Sequence, residues 1–241
     1  MISVIIPAHN EQKNVNVTIK QIYKALKHLK IKNFEIIFID DCSTDKTYIY
    51  AKLIANKKKY NLKVYKNLKN LGWGGAVKRG IKLSKQKYIV WIPGDNGFYY
   101  KQYIKIISNL KGYEFVSSYF INAEERVFYR YLFTSFYTPL LNLILGRNFP
   151  YYNGLTFYNA KKLKKINIIF NSHIFQVEIW IKLITRGLLS KVKFVELRHK
   201  EKTQISTAFR FKNATKVTFS FFYLIIYYTL LSFLNLFKNI K

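Results

Sequence analysis

The feature that most constrains this chain is an alternation in its first half. Short apolar runs, "ISVIIP" (2–7), "FEIIFI" (34–39), "LKVY" (62–65), "YIVWI" (88–92) and "EFVSS" (114–118), are separated by stretches of helical periodicity. In 11–30, Val15, Ile19, Ile22, Tyr23, Leu26 and Leu29 recur at three- and four-residue spacing, the pattern of one helix face. Asn10 stands where it can cap that helix. Residues 45–58 and 75–85 read as further helices. Apolar runs with few polar alternations suit strands covered on both faces, so the pattern predicts an α/β domain with a mostly parallel sheet.

The second half is less regular. Residues 124–146 read as one or two helices mixing aromatic and basic residues, "NGLTFYN" (153–159) as a strand, "IFQVEIWIKLITRG" (174–187) as a helix ended by Gly187, and "KVKFVEL" (191–197) as a strand. No fixed-period repeat and no low-complexity linker interrupts the chain.

In such sheets ligands bind beyond the carboxyl ends of the strands. The segments following the first, second and fourth apolar runs are "PAHNE", "DDCSTDKT" and "PGDN". Acid is scarce: 12 Asp and Glu stand against 41 Lys and Arg, yet Asp40, Asp41, Asp45 and Asp95 all fall in these loops. Asp40 and Asp41 can accept hydrogen bonds from a base imide, a ribose hydroxyl or a metal-bound water. Asp41 or Ser43 can equally serve as a helix cap, as can Thr44. Asp95 suits a hard divalent ion, which commonly takes one or two carboxylates and completes its shell with diphosphate oxygens and water; as a turn residue in "PGDNG" it needs no ligand.

"NLGWGGAVKRG" (70–80) is neither G-x-G-x-x-G, since Val77 stands three beyond Gly74, nor a P-loop. Gly72, Gly74 and Gly75 let the backbone pass close to a ligand or a strand, and Lys78 and Arg79 face phosphate or solvent.

The net charge of +29 favours anionic partners: nucleic acid, acidic lipid headgroups or phosphorylated substrates. Abundant Lys, Ile, Asn, Tyr and Phe also fit biased base composition, with much of the charge on solvated faces. Cys42 is the only cysteine, which excludes an intramolecular disulfide and a cysteine zinc cluster. His9, His28, His173 and His199 are too dispersed for a local metal motif. No zinc finger, basic zipper or RNA-recognition motif supports nucleic acid as partner.

"MISVIIPAHNE" does not read as a signal peptide. "VTFSFFYLIIYYTLLSFLNLF" (217–237) has no charged residue and is flanked by Lys212 and Lys216 and by Lys238 and Lys241. Twenty helical residues reach about 30 Å, one hydrocarbon core. The segment reads as a spanning or deeply embedded helix, a surface amphipathic helix, or a helix in a protein interface. The expected organisation is therefore a catalytic or binding domain over 1–210 and a membrane-associating helix over 211–241.

Taken in order, "VIIPAHNE", "IIFIDDCSTDKT", "NLGWGGAVKRGI", "YIVWIPGDN", "NGLTFYNAKKL" and "IFQVEIWIKLITRG" resemble the family 2 glycosyltransferases with the GT-A fold. The similarity is to the polyprenyl-phosphate sugar transferases, such as dolichyl-phosphate mannosyltransferase, and spans residue 2 to about 200. It implies a Rossmann-like, mostly parallel sheet that takes a nucleotide-diphosphate sugar. Pro7, Ala8, Asn10 and Glu11 would line the nucleotide site, with Asp40, Asp41, Gly75, Lys78 and Asn96. Asp95 would be catalytic at the diphosphate and its Mg²⁺ or Mn²⁺, and Glu178 would be the acidic residue on the acceptor side.

A sugar hydroxyl acceptor, as in surface polysaccharide synthesis, needs a base, for which Glu178 is the candidate. A polyprenyl phosphate is already ionised at pH 7 and needs only positioning cations. Arg126, Arg130, Arg147 and Arg198 are candidates for that contact; a solvated helix face is the alternative for the first three. The resemblance further implies a membrane-associated enzyme whose catalytic domain faces the cytoplasm. Three departures stand out. Pro93 replaces the first Asp of the family's usual Asp-x-Asp, Pro150 stands near a position that is often acidic, and "RHKEKTQISTAF" keeps Arg198, Lys200, Lys202 and Ser206 without the family's spacing. A binding-only scaffold that keeps the fold is the corresponding non-catalytic alternative.

Overall fold

The computed structural model describes residues 1–121, 128–172 and 174–198 (of 128–134 the backbone alone), together with Tyr223 and Ile226. The apolar segment 217–237 expected to meet the membrane therefore lies outside the described residues apart from those two positions. So do Arg126, Lys200, Lys202 and Ser206.

A seven-stranded sheet forms the centre, in the order β3-β2-β1-β4-β6-β5-β7. The strands are β1 (Ile2–Ala8), β2 (Phe34–Asp40), β3 (Leu62–Lys66), β4 (Tyr88–Trp91), β5 (Phe115–Phe120), β6 (Thr156–Asn159) and β7 (Val192–Leu197). β1 pairs in parallel with β2 and β4, β2 with β3, and β5 with β7, while β6 pairs antiparallel with β4 and β5. All strands but β6 thus run the same way, as the mostly parallel reading expects.

Helices α1 (Val15–His28), α2 (Thr47–Ala55), α3 (Gly72–Leu83), α4 (Tyr100–Ile107), α5 (Phe128–Leu145), α6 (Ala160–Leu163) and α7 (Phe175–Thr185) flank the sheet. β1 and β2 are buried along their whole length, which explains their near-continuous apolar sequence. Alternate residues serve two cores. Val4 and Ile6 pack with Val15, Ile19, Ile22 and Leu26 of α1 and with Tyr103 and Ile106 of α4. Ile5, Ile37 and Ile39 pack on the other face with Ala76 and Val77 of α3 and with Phe175 and Trp180 of α7. The period of two along the strands and the three-to-four spacing along α1 are both satisfied by this three-layer packing.

Two expected caps are corrected. α1 begins at Val15 with Asn14 as its N-cap, because the Glu11 carbonyl accepts from the Asn14 and Val15 N–H groups and turns 11–14 before the helix starts. Asn10 is instead in the left-handed region, at φ 57°. α2 is not capped by Ser43 or Thr44: the Asp45 carboxylate accepts from the Thr47 N–H at 2.9 Å. Gly187 does follow the end of α7, at φ 62°, and its N–H donates to the Ile184 carbonyl. α4 and α6 were not anticipated.

α3 lies close against β1 because position 80 has no side chain. A Cβ there would come within 2.3 Å of Ile5 Cγ2. Gly80→Ala is expected to destabilise the protein by about 1–3 kcal/mol through overpacking, read as a lower urea midpoint with an unchanged m-value.

Candidate functional site

The carboxyl ends of β2, β1 and β4 lie side by side. The Ala8 carbonyl accepts from the Asp41 N–H at 2.8 Å, and the Pro7 carbonyl accepts from the Gly94 N–H at 3.1 Å. Pro7 and Ala8 are thus flanked by the Asp40–Asp41 loop on one side and the loop carrying Asp95 on the other. Two strand spacings, about 10 Å, separate the outer loops. Asp40, Asp41 and Asp95 share one edge of the sheet. A Cβ on Gly94 would fall 2.8 Å from the Ala8 Cβ, so glycine there lets the Asp95 loop close against β1. Thr18 of α1 fixes that loop by donating to the Gly94 carbonyl at 3.0 Å.

The first two loops are knitted together. The Asn10 N–H donates to Ser43 Oγ, the Thr44 N–H to Asn10 Oδ1, the Glu11 N–H to Thr47 Oγ1, the Gln12 N–H to Asp45 Oδ2, and the Lys46 N–H to Gln12 Oε1. Burial tends to raise the Asp45 carboxyl, but hydrogen bonds from Thr47 and the Gln12 N–H, with the nearby His9, hold it below its ordinary value. Each of the three loops turns through one left-handed residue, Asn10 at φ 57°, Cys42 at φ 59° and Asn96 at φ 55°. Asn tolerates that conformation; Cys does not favour it.

The two adjacent aspartates differ. Asp40 is fully buried. Its Oδ2 accepts from the Ser43 N–H at 3.2 Å, while its Oδ1 is buried with no hydrogen-bond partner among the described residues. A buried acceptor left in this state costs about 1–3 kcal/mol, which a ligand N–H or O–H offsets. Asp41 is a junction: its Oδ1 accepts from Asn67 Nδ2 at 2.6 Å and from the Leu71 N–H at 2.9 Å, and its carbonyl accepts from His9 Nδ1 at 2.9 Å.

Asp95 Oδ1 accepts from the Gly97 N–H at 3.0 Å, which orders the turn. Behind it, burial and the Asp95 charge push the Tyr103 phenol up, so it remains a protonated hydroxyl. Among the described residues no three His, Cys, Asp or Glu gather to form a cation site of their own. A lone carboxylate at a loop-lined edge does fit a Mg²⁺ or Mn²⁺ ion that draws its other oxygens from a diphosphate and water.

The remaining candidates occupy different surroundings. Glu178 is fully buried, accepting from the Ile169 N–H at 2.8 Å and the Phe170 N–H at 3.0 Å and pairing with Lys182. Lys182 Nζ also donates to the Asn167 carbonyl at 2.6 Å. Together they clamp the loop 167–172. Lys78, expected to face phosphate or solvent, donates to the Ile168 and Ile169 carbonyls at 3.3 and 3.1 Å. Burial lowers its ammonium pKa, Lys82 and Lys182 add to this, and Glu178 opposes them.

The glycines of α3 admit the same loop. The Gly74 N–H donates to the Asn171 carbonyl at 2.9 Å, and a Cβ on Gly74 would meet that oxygen at 2.8 Å. A Cβ on Gly75 would lie 2.6 Å from the Leu71 Cβ. The close approach anticipated at these glycines is thus made by the chain itself. Arg198 is exposed, directly after β7 at the sheet edge that carries the acidic loops, and its carbonyl accepts from Gln102 of α4. Arg147 is exposed just beyond α5, and Arg130 is placed as a position on α5.

The sequence over residues 3–176 matches the family described as Glycosyl transferase family 2. The chain belongs to glycosyl transferase family 2. It is 34% identical over 110 residues to a dolichyl-phosphate beta-glucosyltransferase of Dictyostelium discoideum, covering 44% of this chain and 34% of that protein. It is 36% identical over 94 residues to a dolichol-phosphate mannosyltransferase of Pyrococcus furiosus, covering 39% and 25% respectively. A dodecaprenyl-phosphate galacturonate synthase of Rhizobium johnstonii is 23% identical over 183 residues, 75% of this chain and 54% of that protein. The chain thus aligns with between a quarter and about half of these relatives' own length. In fold it is similar to glucosyl-3-phosphoglycerate synthase of Mycobacterium tuberculosis, solved with Mn²⁺, UDP and glucosyl-3-phosphoglycerate, with a TM-score of 0.63 at 19% identity over 85% of this chain and 73% of that one. The sheet and its flanking helices are accordingly a GT-A-like fold.

Two outcomes follow from this family member's geometry. Glu178→Ala would leave the Lys182 ammonium buried without its carboxylate and is expected to cost about 3–5 kcal/mol, measured by urea denaturation. Cys42→Gly relieves the left-handed position and is expected to add about 0.5–1 kcal/mol of stability in the same assay.

Proposed function

We propose that the protein is a glycosyltransferase that moves a sugar from a nucleotide-diphosphate sugar to a polyprenyl phosphate at a membrane, with inversion at the anomeric carbon. The observation that carries the donor half is the flanking of Pro7–Ala8 by Asp40 and Asp41 on one side and Asp95 on the other, in a family 2 chain. The buried, unpartnered Asp40 Oδ1 calls for an N–H or O–H donor, which a base imide or ribose hydroxyl supplies. Asp95 would hold Mg²⁺ or Mn²⁺ against the diphosphate, where the ion supplies charge neutralisation for the leaving group.

The reaction breaks the bond between the anomeric carbon and the diphosphate oxygen and forms one between that carbon and an acceptor phosphate oxygen. The nucleoside diphosphate departs. Glu178 bears on the choice of acceptor: both its oxygens are taken by backbone N–H groups and the Lys182 ammonium, an arrangement unsuited to accepting a proton from a hydroxyl. A phosphate monoester attacks as its ionised form and makes no such demand. Arg198, after β7 on the same edge, is a candidate cation to meet it, with Arg126, Arg130 and Arg147 as further candidates.

Membrane association rests on three points: the uncharged segment 217–237, the polyprenyl-linked names of the relatives, and an apolar outer face on α5. There Phe136 and Leu143 are 72% and 81% exposed, while Tyr137 and Leu141 are buried beneath them. Among the described residues no helix is long and apolar enough to cross a membrane. A catalytic domain on the cytoplasmic side is part of the same proposal.

The test is incubation with a panel of nucleotide-sugars, Mg²⁺ or Mn²⁺ and polyprenyl phosphate, with the product identified by mass spectrometry. A polyprenyl-phosphate sugar is expected. Asp95→Asn should lower its formation by about 10²–10³-fold with an unchanged circular dichroism spectrum. Full turnover by that variant, or sugar appearing only on a hydroxyl acceptor, would overturn the reading.

A further inference from the structure

We propose that Arg79 of α3 is a positioning residue for the nucleotide-diphosphate sugar, acting through Asn67 on Asp41. This rests on the donor site proposed above. Arg79 Nη1 donates to the Lys66 carbonyl at 2.7 Å and to Asn67 Oδ1 at 2.5 Å, and its guanidinium lies 5.7 Å from the centre of the Tyr65 ring. Asn67 is buried, and its own N–H donates to the Asp40 carbonyl at 2.8 Å.

The two ends of the Asn67 carboxamide differ. One is an acceptor and the other a donor, and only one orientation suits a carboxylate. A guanidinium has donors alone, so it holds the Asn67 oxygen toward itself. The Asn67 NH₂ then faces Asp41 Oδ1, at 2.6 Å. Without Arg79 only the Asp41 carboxylate orients the amide, and the amide plane is free to rock about that single bond. With it, Asp41 Oδ1 is saturated by Asn67 and the Leu71 N–H, and the carboxylate plane is fixed.

That plane matters beyond Asp41 itself. The Asp41 N–H and carbonyl bind Ala8 and His9, so one residue joins the loops after β1, β2 and β3. A residue on α3 thereby sets the geometry of the loops proposed to hold the nucleotide. It does so without touching the reacting atoms, so its loss should be felt in donor affinity and not in the chemical step.

The experiment titrates the full chain with UDP and with GDP in the presence of Mg²⁺, by calorimetry, for wild type, Arg79→Met, Asn67→Ala and the double variant. Donor KM and kcat are measured in parallel. Arg79→Met is expected to weaken the nucleotide that wild type binds by about tenfold and to raise donor KM similarly, with kcat changed by less than about twofold. The double variant should be no weaker than Asn67→Ala alone, because both act on one link. Arg79→Lys keeps a donor to Asn67 but not the planar fork, should bind more tightly than Asn67→Ala, and serves as the informative variant should the methionine form fail to fold. Wild-type affinity in Arg79→Met, or in the lysine test a loss as large as that of Asn67→Ala, would overturn the inference. So would strictly additive losses. Failure of wild type to bind either nucleotide is a separate result: it removes the donor site, and the relay with it.

Discussion

The arrangement depends on β1 lying between β2 and β4 with its last carbonyls bonded to both. Pro7 accepts from Gly94 and Ala8 from Asp41, so the two acidic loops take their positions from the same two residues. Those bonds are available because β1 is covered on both faces, leaving its backbone groups no water to turn to. Around this hinge of bonds the glycines make sense. Gly94 lets its loop close onto Ala8, and Gly80 lets α3 sit against Ile5. Small residues here are set by contact distance, not by flexibility.

Much of this was legible in sequence because buried parallel strands leave an unambiguous trace. The apolar runs at 2–7, 34–39, 62–65 and 88–92 fall on β1 to β4 within a residue or so, and the polar segments after them form the edge that carries the acidic loops. The side-chain roles were less legible, because they depend on partners distant in the chain. Asn10 sits beside a helix start, yet its side chain serves Thr44, 34 residues away. Lys78 and Glu178 have residue types suited to phosphate binding and proton transfer. Both hold the loop 167–172, which only the fold brings to α3. α4 buries Tyr103, Ile106 and Ile107 at helical spacing, but its eight residues are too few for that pattern to stand out in the sequence, and α6 is a single turn.

The scarcity of acid gives the charge pattern a structural meaning. Several of the few carboxylates have defined work in the fold. Glu35 takes Ser3 and the Lys85 N–H, Glu114 takes Lys162 and Ser190, and Glu178 takes Lys182 and two backbone groups. Against that background Asp40 is different, buried like Glu178 but with one oxygen unmatched among the described residues. Stability alone would favour a matched group there, and the exception lies at the sheet edge that carries the acidic loops.

The left-handed turns at Asn10, Cys42 and Asn96 carry a consequence for recognition. A loop that must find a disfavoured backbone state only when its ligand arrives loses affinity to the ordering it undergoes. Here the unusual states are already adopted and cross-braced, so the entropy of shaping the pocket is spent during folding. A ligand taken at this edge, as proposed, would meet a cradle set in advance, and selectivity would fall to the shape of the guest.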